Sequence, residues 1–178
     1  MEAIQRILII GGPGSGKSSL INLLETSGYK VHHEISRAVI SSAQAQGIEQ
    51  LFLTDPMAFS DQLLAGRILQ HGQAATGINF YDRGIPDVPA YHLFTGDPIP
   101  ENYIRASNEH TYDRVFFLPP WEAIYKTDNE RYESYEQAVQ IGNMLVAFYE
   151  KLGYYPTSLP FTCLQQRIYF ILDHINRD

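Results

Sequence analysis

The sequence predicts a three-layer α/β domain in which a mostly parallel sheet of about five strands is flanked by helices. Two observations lead to this fold class. Short apolar runs alternate with longer segments of helical periodicity, and the first apolar run enters a glycine-rich loop that is followed at once by a helical pattern. The 178 residues suffice for one buried core, so we expect residues 1–178 to form a single domain.

The glycine-rich loop covers residues 11–18 and matches the phosphate-binding pattern G-x-x-x-x-G-K-[ST] at each fixed position. Residues 6–10 lead into it as an apolar strand, and residues 19–24 leave it as a helix. Backbone N–H groups of such a loop turn inward around a polyphosphate, and the helix dipole adds to the attraction. The predicted nucleotide-binding residues are Gly12, Pro13, Gly14, Ser15, Gly16, Lys17, Ser18 and Ser19.

Two side chains of this loop have specific expected roles. Lys17 would reach the outer phosphates of ATP, and the Ser18 hydroxyl would be a ligand of Mg²⁺. A plain turn between strand and helix is one other interpretation. A dinucleotide site is another, but it needs an acid about 20 residues further on, for which Glu34 is the only candidate, and Lys17-Ser18 follow the last glycine. The loop therefore favours a P-loop NTPase fold.

The remaining elements follow from apolar runs, cap residues and helix breakers. Asp55-Pro56 and Ser134 have the spacing of helix starts, and leucines 63, 64 and 69 are expected on a buried helix face. After the loop the predicted elements are a helix ending before Gly28, a strand at 29–33, helices at 35–46 and 55–72, a strand at 77–81, short helices and turns at 85–110, a strand at 114–118, a helix at 134–152, a strand at 154–159 and a helix at 164–175.

Composition limits the classes of partner. The net charge is −7, with 13 basic and 20 acidic residues, so we expect no nucleic-acid surface. No apolar window approaches about 18 residues, so we expect no transmembrane helix, and Cys163 stands alone, which fits a reducing cytoplasm. The expected partners are a nucleoside triphosphate and a small-molecule acceptor, in the cytoplasm and away from membranes.

Charged residues follow two of the predicted strands, at the sheet edge where ligands bind in open α/β sheets. Asp82 could hold Mg²⁺ or accept the acceptor's proton, and otherwise it caps a helix. Arg83 could clamp the acceptor or a phosphate, and otherwise it forms a structural salt bridge. Glu34 could receive an acceptor hydroxyl with Arg37 one turn away, although both could be an ordinary solvated helix start, and Tyr91 is a further candidate for substrate binding.

A polar segment at residues 121–133 is a candidate lid. It carries Lys126 and Arg131, which could close over the phosphates, although either could be a plain solvated charge.

Together, the loop at residues 11–19, Glu34-x-Ser36-Arg37, Asp82-Arg83-Gly84 and the stretch at 149–154 resemble a family of small P-loop proteins catalogued as predicted ATPases or kinases with an "AAA domain" label. The chain is also similar to the kinase domain that phosphorylates nicotinamide riboside and, more distantly, to thymidylate and deoxynucleoside kinases. The resemblance implies that Glu34, Asp82 and Arg83 line an acceptor site and that Arg131 covers the nucleotide.

The expected function is an ATP- and Mg²⁺-dependent kinase that transfers the terminal phosphoryl group to a small, nucleoside-like metabolite. The expected catalytic residues are Lys17, Asp82, Glu34, Arg83 and Arg131. The alternatives are an NTP hydrolase, a nucleotide-dependent regulatory switch, or a nucleotide-binding module without turnover. No acid follows Asp82 to activate a hydrolytic water, and no separate helical domain fits after the core, which disfavours an assembled AAA-type motor.

Overall fold

A computed structural model describes residues 3–125 and 134–177. Its sheet has five strands, which are β1 Ile4–Gly11, β2 Lys30–His32, β3 Gly77–Asp82, β4 Arg114–Leu118 and β5 Thr157–Ser158. The strand order is β2-β3-β1-β4-β5, and every neighbouring pair is parallel. The predicted fold class is therefore confirmed.

Helices surround this sheet, and they are α1 Lys17–Thr26, α2 Ser36–Ala45, α3 Leu51–Thr54, α4 Pro56–Gly72, α5 Asp87–Thr95, α6 Glu101–Glu109, α7 Tyr135–Lys151 and α8 Leu164–Asn176, with a short 3-10 turn at Glu122–Ile124. Two of the starts have the predicted caps. Asp55 accepts a hydrogen bond from the Ala58 N–H at 2.9 Å, and Ser134 forms a capping box with Gln137.

The central strand β1 divides the core into two layers, because successive side chains of a strand point to opposite faces. Ile7 and Ile9 pack on one face with buried residues of α1 and α8. Leu8 and Ile10 pack on the other face with buried residues of α7, such as Ile141. A sheet covered on both faces explains why the middle of β1 is a continuous apolar run.

Two details of the sequence prediction are wrong. Leu69 is 62% exposed, because five residues of helix turn it about 140° away from the buried Leu64, and Arg67 lies on the buried face instead. The last strand covers Thr157–Ser158 alone rather than residues 154–159. Pro156 and Pro160 flank it, and proline has no N–H to extend the ladder.

Within residues 3–125 and 134–177, no helix combines the length and apolarity needed to cross a membrane.

Candidate functional site

The phosphate-binding loop connects the end of β1 to the start of α1. Gly16 stands immediately before the helix with φ of 83°, a left-handed conformation that glycine adopts without steric cost. Gly12 lets α7 approach the loop closely, since a Cβ atom there would lie 2.8 Å from the carbonyl oxygen of Ala138 in α7. The loop is thus wrapped tightly at the carboxyl end of the central strand, and α1 begins directly at Lys17.

Lys17 and Asp82 form an ion pair at this end of the sheet. Asp82 ends β3, and the register places it beside Ile9 of β1, just before the loop. Both side chains are nearly enclosed, at 9% and 5% exposure. Burial lowers the pKa of Lys17 from its usual value, although the neighbouring Asp82 carboxylate favours the charged ammonium group.

Glu34 lies between two arginines at the end of the chain segment that follows β2. Its carboxylate is 3.3 Å from Nη2 of Arg67 and 2.7 Å from Nε of Arg83. It also accepts hydrogen bonds from the N–H groups of Ile35 and Ser36 at 2.9 and 3.0 Å. Burial alone would raise the pKa of Glu34, but Arg67, Arg83 and Lys17 lower it to about 2. Glu34 is therefore a firmly ionised carboxylate.

Arg83 is adjacent to both carboxylates of the site. It directly follows Asp82 in the sequence, and its side chain contacts Glu34. Its φ of 69° is unusual for a residue with a side chain, and backbone strain of this kind clusters at active sites and ligand-binding turns. Its Nη1 donates a hydrogen bond of 2.7 Å to the Tyr91 hydroxyl. Burial opposes the charge of Arg83, but Tyr91, Glu34 and Asp87 together raise its pKa above the ordinary value.

Arg67 is a site residue that the sequence reasoning missed. It is 4% exposed, and its Nη1 donates a hydrogen bond of 3.0 Å to the carbonyl oxygen of Gly84. The Gly84 N–H in turn donates to Asp87, which also accepts from the Tyr149 hydroxyl at 2.6 Å. Arg67 thus links Glu34 to the turn after β3. An arginine on the same face as Leu64 was the signal available in the sequence.

A cavity of about 180 Å³ lies at the loop and is lined by residues 12–19 together with Arg37 and Arg83. Its walls therefore combine the loop with two arginines and Lys17, an arrangement suited to an anionic ligand. A larger cavity, of about 490 Å³, lies near Arg114 and Tyr154 at the opposite end of the strands, away from these residues.

The structure brings most of the predicted site residues to one place. Lys17, Ser18, Ser19, Arg37 and Arg83 line the loop cavity. Asp82 is paired with Lys17, Glu34 with Arg83, and Tyr91 contacts Arg83. Of the candidate lid, Lys126 and Arg131 lie outside the described residues.

The start of the candidate lid, residues 121–125, packs beside the loop. The Tyr125 ring lies so near Gly14 that an added Cβ would approach it within 2.5 Å, and a Cβ added at Gly16 would lie 3.3 Å from the Ile124 side chain.

The sequence family described as "AAA domain" matches residues 6–167. No curated protein matches the sequence. Among solved structures, deoxyadenosine kinase from M. mycoides with the products dCMP and dCDP has a TM-score of 0.67 at 17% identity, covering 97% of this chain and 98% of that chain. Thymidylate kinase from Ehrlichia chaffeensis has a TM-score of 0.66 at 12% identity, covering 98% of this chain and 100% of that chain.

The NadR protein in complex with NR is similar to the same degree, with a TM-score of 0.67 at 16% identity. Here the match covers 97% of this chain but 50% of NadR, so the chain spans half the length of that protein. At these identities the likeness is one of fold, and the fold is that of P-loop kinases.

Proposed function

The chain belongs to the AAA domain family, and from that membership and the geometry of its site we propose that it is an ATP- and Mg²⁺-dependent kinase that transfers the terminal phosphoryl group to a small, nucleoside-like metabolite. One observation carries the proposal: the ionised carboxylate of Glu34 is joined through Arg83 to the phosphate loop with its Lys17–Asp82 pair. A phosphoryl-transfer enzyme needs a phosphate site and an acceptor site side by side.

The phosphate side of this arrangement supplies positive charge. Phosphoryl transfer spreads negative charge over the migrating group, and fixed cations in an enclosed site stabilise that charge. Lys17 extends from the loop itself, and Arg83 and Arg37 line the same cavity. In the proposed reaction Lys17 leaves its pairing with Asp82 and binds the outer phosphates.

The acceptor side depends on Glu34. With a pKa of about 2, Glu34 is ionised at neutral pH and accepts hydrogen bonds, so it can orient a hydroxyl group of the acceptor. In the proposed reaction Glu34 orients that hydroxyl group and takes up its proton as the new bond to phosphorus forms. Arg83 contacts Glu34 and also lines the loop cavity, so it would help to position both the acceptor and the nucleotide.

The residues present fit a magnesium ion. Mg²⁺ prefers oxygen ligands and is commonly held by one or two protein oxygens together with the phosphates of the nucleotide. The Ser18 hydroxyl and the Asp82 carboxylate would supply those oxygens, and the ion would neutralise charge on the phosphates. No group of three potential His, Cys, Asp or Glu ligands occurs in the described part of the chain, so these two oxygens would need the phosphates to complete a site.

A nucleoside-like acceptor is supported by analogy with the proteins of similar fold. The M. mycoides enzyme is a deoxyadenosine kinase that was crystallised with dCMP, and NadR was crystallised with NR. In this chain, Tyr91 is half-buried beside Arg83 on the acceptor side, and an aromatic ring of this kind packs well against a flat heterocycle.

The alternative is an NTP hydrolase, and acceptor dependence separates the two reactions. The purified protein would be incubated with ATP and Mg²⁺ alone, and then with deoxynucleosides, nicotinamide riboside or small sugars, while ADP and the phosphorylated product are followed. We expect one acceptor class to raise ADP release by at least about 10-fold, with product formed in equal amount. ADP release at the same rate with and without every acceptor would identify a hydrolase instead.

A further inference from the structure

Arg167 is a buried cation at the back of the phosphate loop, and neither the motifs nor the proposed reaction accounts for it. It lies on α8 and is 2% exposed. Its Nε donates a hydrogen bond of 3.1 Å to the carbonyl oxygen of Pro160, in the turn before α8. Its Nη1 points to the carbonyl oxygen of Ser15 at 3.5 Å, 152 residues away in sequence.

A third contact connects Arg167 to the segment after β4. The guanidinium carbon lies 5.1 Å from the centre of the Trp121 ring, within the range of a cation–π interaction. Trp121 also contacts Phe161, with ring centres 5.5 Å apart. One side chain therefore joins the phosphate loop, the turn before α8 and the start of the candidate lid.

Arg167 makes no ion pair with any residue in the described ranges, where its contacts are carbonyl oxygens and an aromatic face. Burial lowers the pKa of Arg167, and no carboxylate in the described part of the chain offsets that effect. Enclosing a charge without an anion is costly for a folded protein. Such a cost is expected where the charge contributes to the binding of an anionic ligand.

Arg167 does not line the loop cavity, so direct contact with a phosphate does not explain it. It contacts the loop from behind, at the peptide unit that joins Ser15 to Gly16. The carbonyl oxygen and the N–H of this peptide unit point in opposite directions because the peptide bond is planar and trans. A cation at the oxygen therefore orients the N–H away from itself and strengthens it as a donor.

We propose that Arg167 is a positioning residue for phosphate binding, which acts through the Ser15–Gly16 peptide unit of the loop. The role rests on the proposed function, since it requires that the loop bind a polyphosphate. Arg167 fixes the Ser15 carbonyl outward, so that the Gly16 N–H is presented to the phosphate chain. Stacking on Trp121 and the hydrogen bond to Pro160 hold the guanidinium group in the required orientation.

The test compares Arg167→Met and Arg167→Lys with Arg177→Met. Arg177 is a matched control, because it lies at the other end of α8, is 68% exposed and, among the described residues, forms an ion pair with Asp173 alone. Thermal unfolding of each variant measures the structural effect. Calorimetry then measures binding of Mg²⁺–ATP, adenosine and Mg²⁺–tripolyphosphate, the last of which probes the loop without a base.

Arg167→Met is expected to lower the affinities for ATP and for tripolyphosphate by the same factor, about 10-fold, and to leave any adenosine binding unchanged. Arg167→Lys keeps the charge but loses the planar fork, so we expect an intermediate loss, and this variant decides the test if the Met variant does not fold. Arg177→Met should bind all three ligands as the wild type does. A purely structural arginine would lower the unfolding temperature and leave the polyphosphate affinity of the folded protein intact.

Two results would overturn the role of Arg167. One is equal tripolyphosphate affinity in wild type and the folded Lys variant. The other is a lower affinity for ATP with an unchanged affinity for tripolyphosphate, which would mean that Arg167 and Trp121 act on the base. If the wild-type protein bound neither ATP nor tripolyphosphate, the proposed function itself would fail. If the wild type bound both and the folded Arg167 variants bound them equally well, only the role of Arg167 would fail, so the two failures are distinguishable.

Discussion

The Lys17 ammonium group and the Asp82 carboxylate pair directly where the phosphate loop meets the end of β3. The loop lysine is thus an enclosed side chain with a fixed partner rather than a free cation at the surface. Any nucleotide that binds at the loop must compete with Asp82 for this ammonium group. Lys17 and Asp82 are therefore coupled, and substitutions of either one are expected to affect the other.

Lys17→Ala should reduce turnover by at least about 100-fold, because it removes a cation that stabilises charge developing on the transferred phosphoryl group. It should also weaken ATP binding more than Asp82→Asn, which retains the lysine and removes its competing carboxylate. Steady-state kinetics and calorimetry with ATP give both quantities, and circular dichroism checks that each variant is folded. Near-normal turnover by folded Lys17→Ala would mean that the loop is not the phosphate site.

Glu34→Gln should act on the acceptor rather than on the nucleotide. Glutamine keeps the shape of the side chain but loses the charge that orients a hydroxyl group. We expect ATP affinity to stay within about threefold of wild type, while turnover with a saturating acceptor falls by at least about 10-fold. If Glu34→Gln weakened ATP binding as much as Lys17→Ala does, Glu34 would belong to the nucleotide site.

The strand ends of this site were predictable from the sequence, because an apolar run that stops at a charged residue marks where a strand leaves the core. Asp82-Arg83 and Glu34 follow such runs, and parallel strands bring those ends to one edge. The pairing of Glu34 with Arg83 was not predictable. It depends on β3 lying between β2 and β1, and periodicity contains no information on strand order.

Arg67 and Arg167 were missed for a related reason. Each is a single basic residue within an amphipathic helix, where a charge usually faces solvent. Their burial depends on what the helix packs against, which is Glu34 and the Gly84 carbonyl for Arg67 and the phosphate loop for Arg167. A local pattern identifies the buried face of a helix, but it does not identify the partner.

The pH dependence of stability provides a test of the Glu34 ion pairs. The pKa of Glu34 is about 2 in the folded protein, below the value of 4.5 expected when it is unperturbed. Its ion pairs therefore stabilise the fold fully above pH 4.5 and lose that contribution as the pH falls towards 2. This difference in pKa corresponds to about 3 kcal/mol.

Wild type and Glu34→Gln should accordingly differ most in unfolding free energy near neutral pH, and the gap should close between pH 4.5 and about 2. Urea denaturation at a series of pH values measures this gap, and the other carboxylates cancel in the comparison. A gap that stays constant down to pH 2 would show that Glu34 is not held in its ionised form by the arginines.

Arg67→Met should destabilise the fold more than any exposed arginine substitution, because it leaves Glu34 with one arginine partner and the Gly84 carbonyl oxygen with the Asp87 N–H as its remaining donor. We expect a loss of about 3 kcal/mol, in the range measured when one partner of a buried pair is removed. Arg105→Met is the matched control, since Arg105 is exposed on α6, and it should change stability by less than about 0.5 kcal/mol.

Double substitution with Glu34→Gln then separates the ion pair from the contact with Gly84. If Arg67 serves chiefly Glu34, Arg67→Met should cost much less in the Glu34→Gln background than in wild type. Equal costs in the two backgrounds, measured by urea denaturation at neutral pH, would assign Arg67 to the turn after β3 and remove it from the acceptor side of the site.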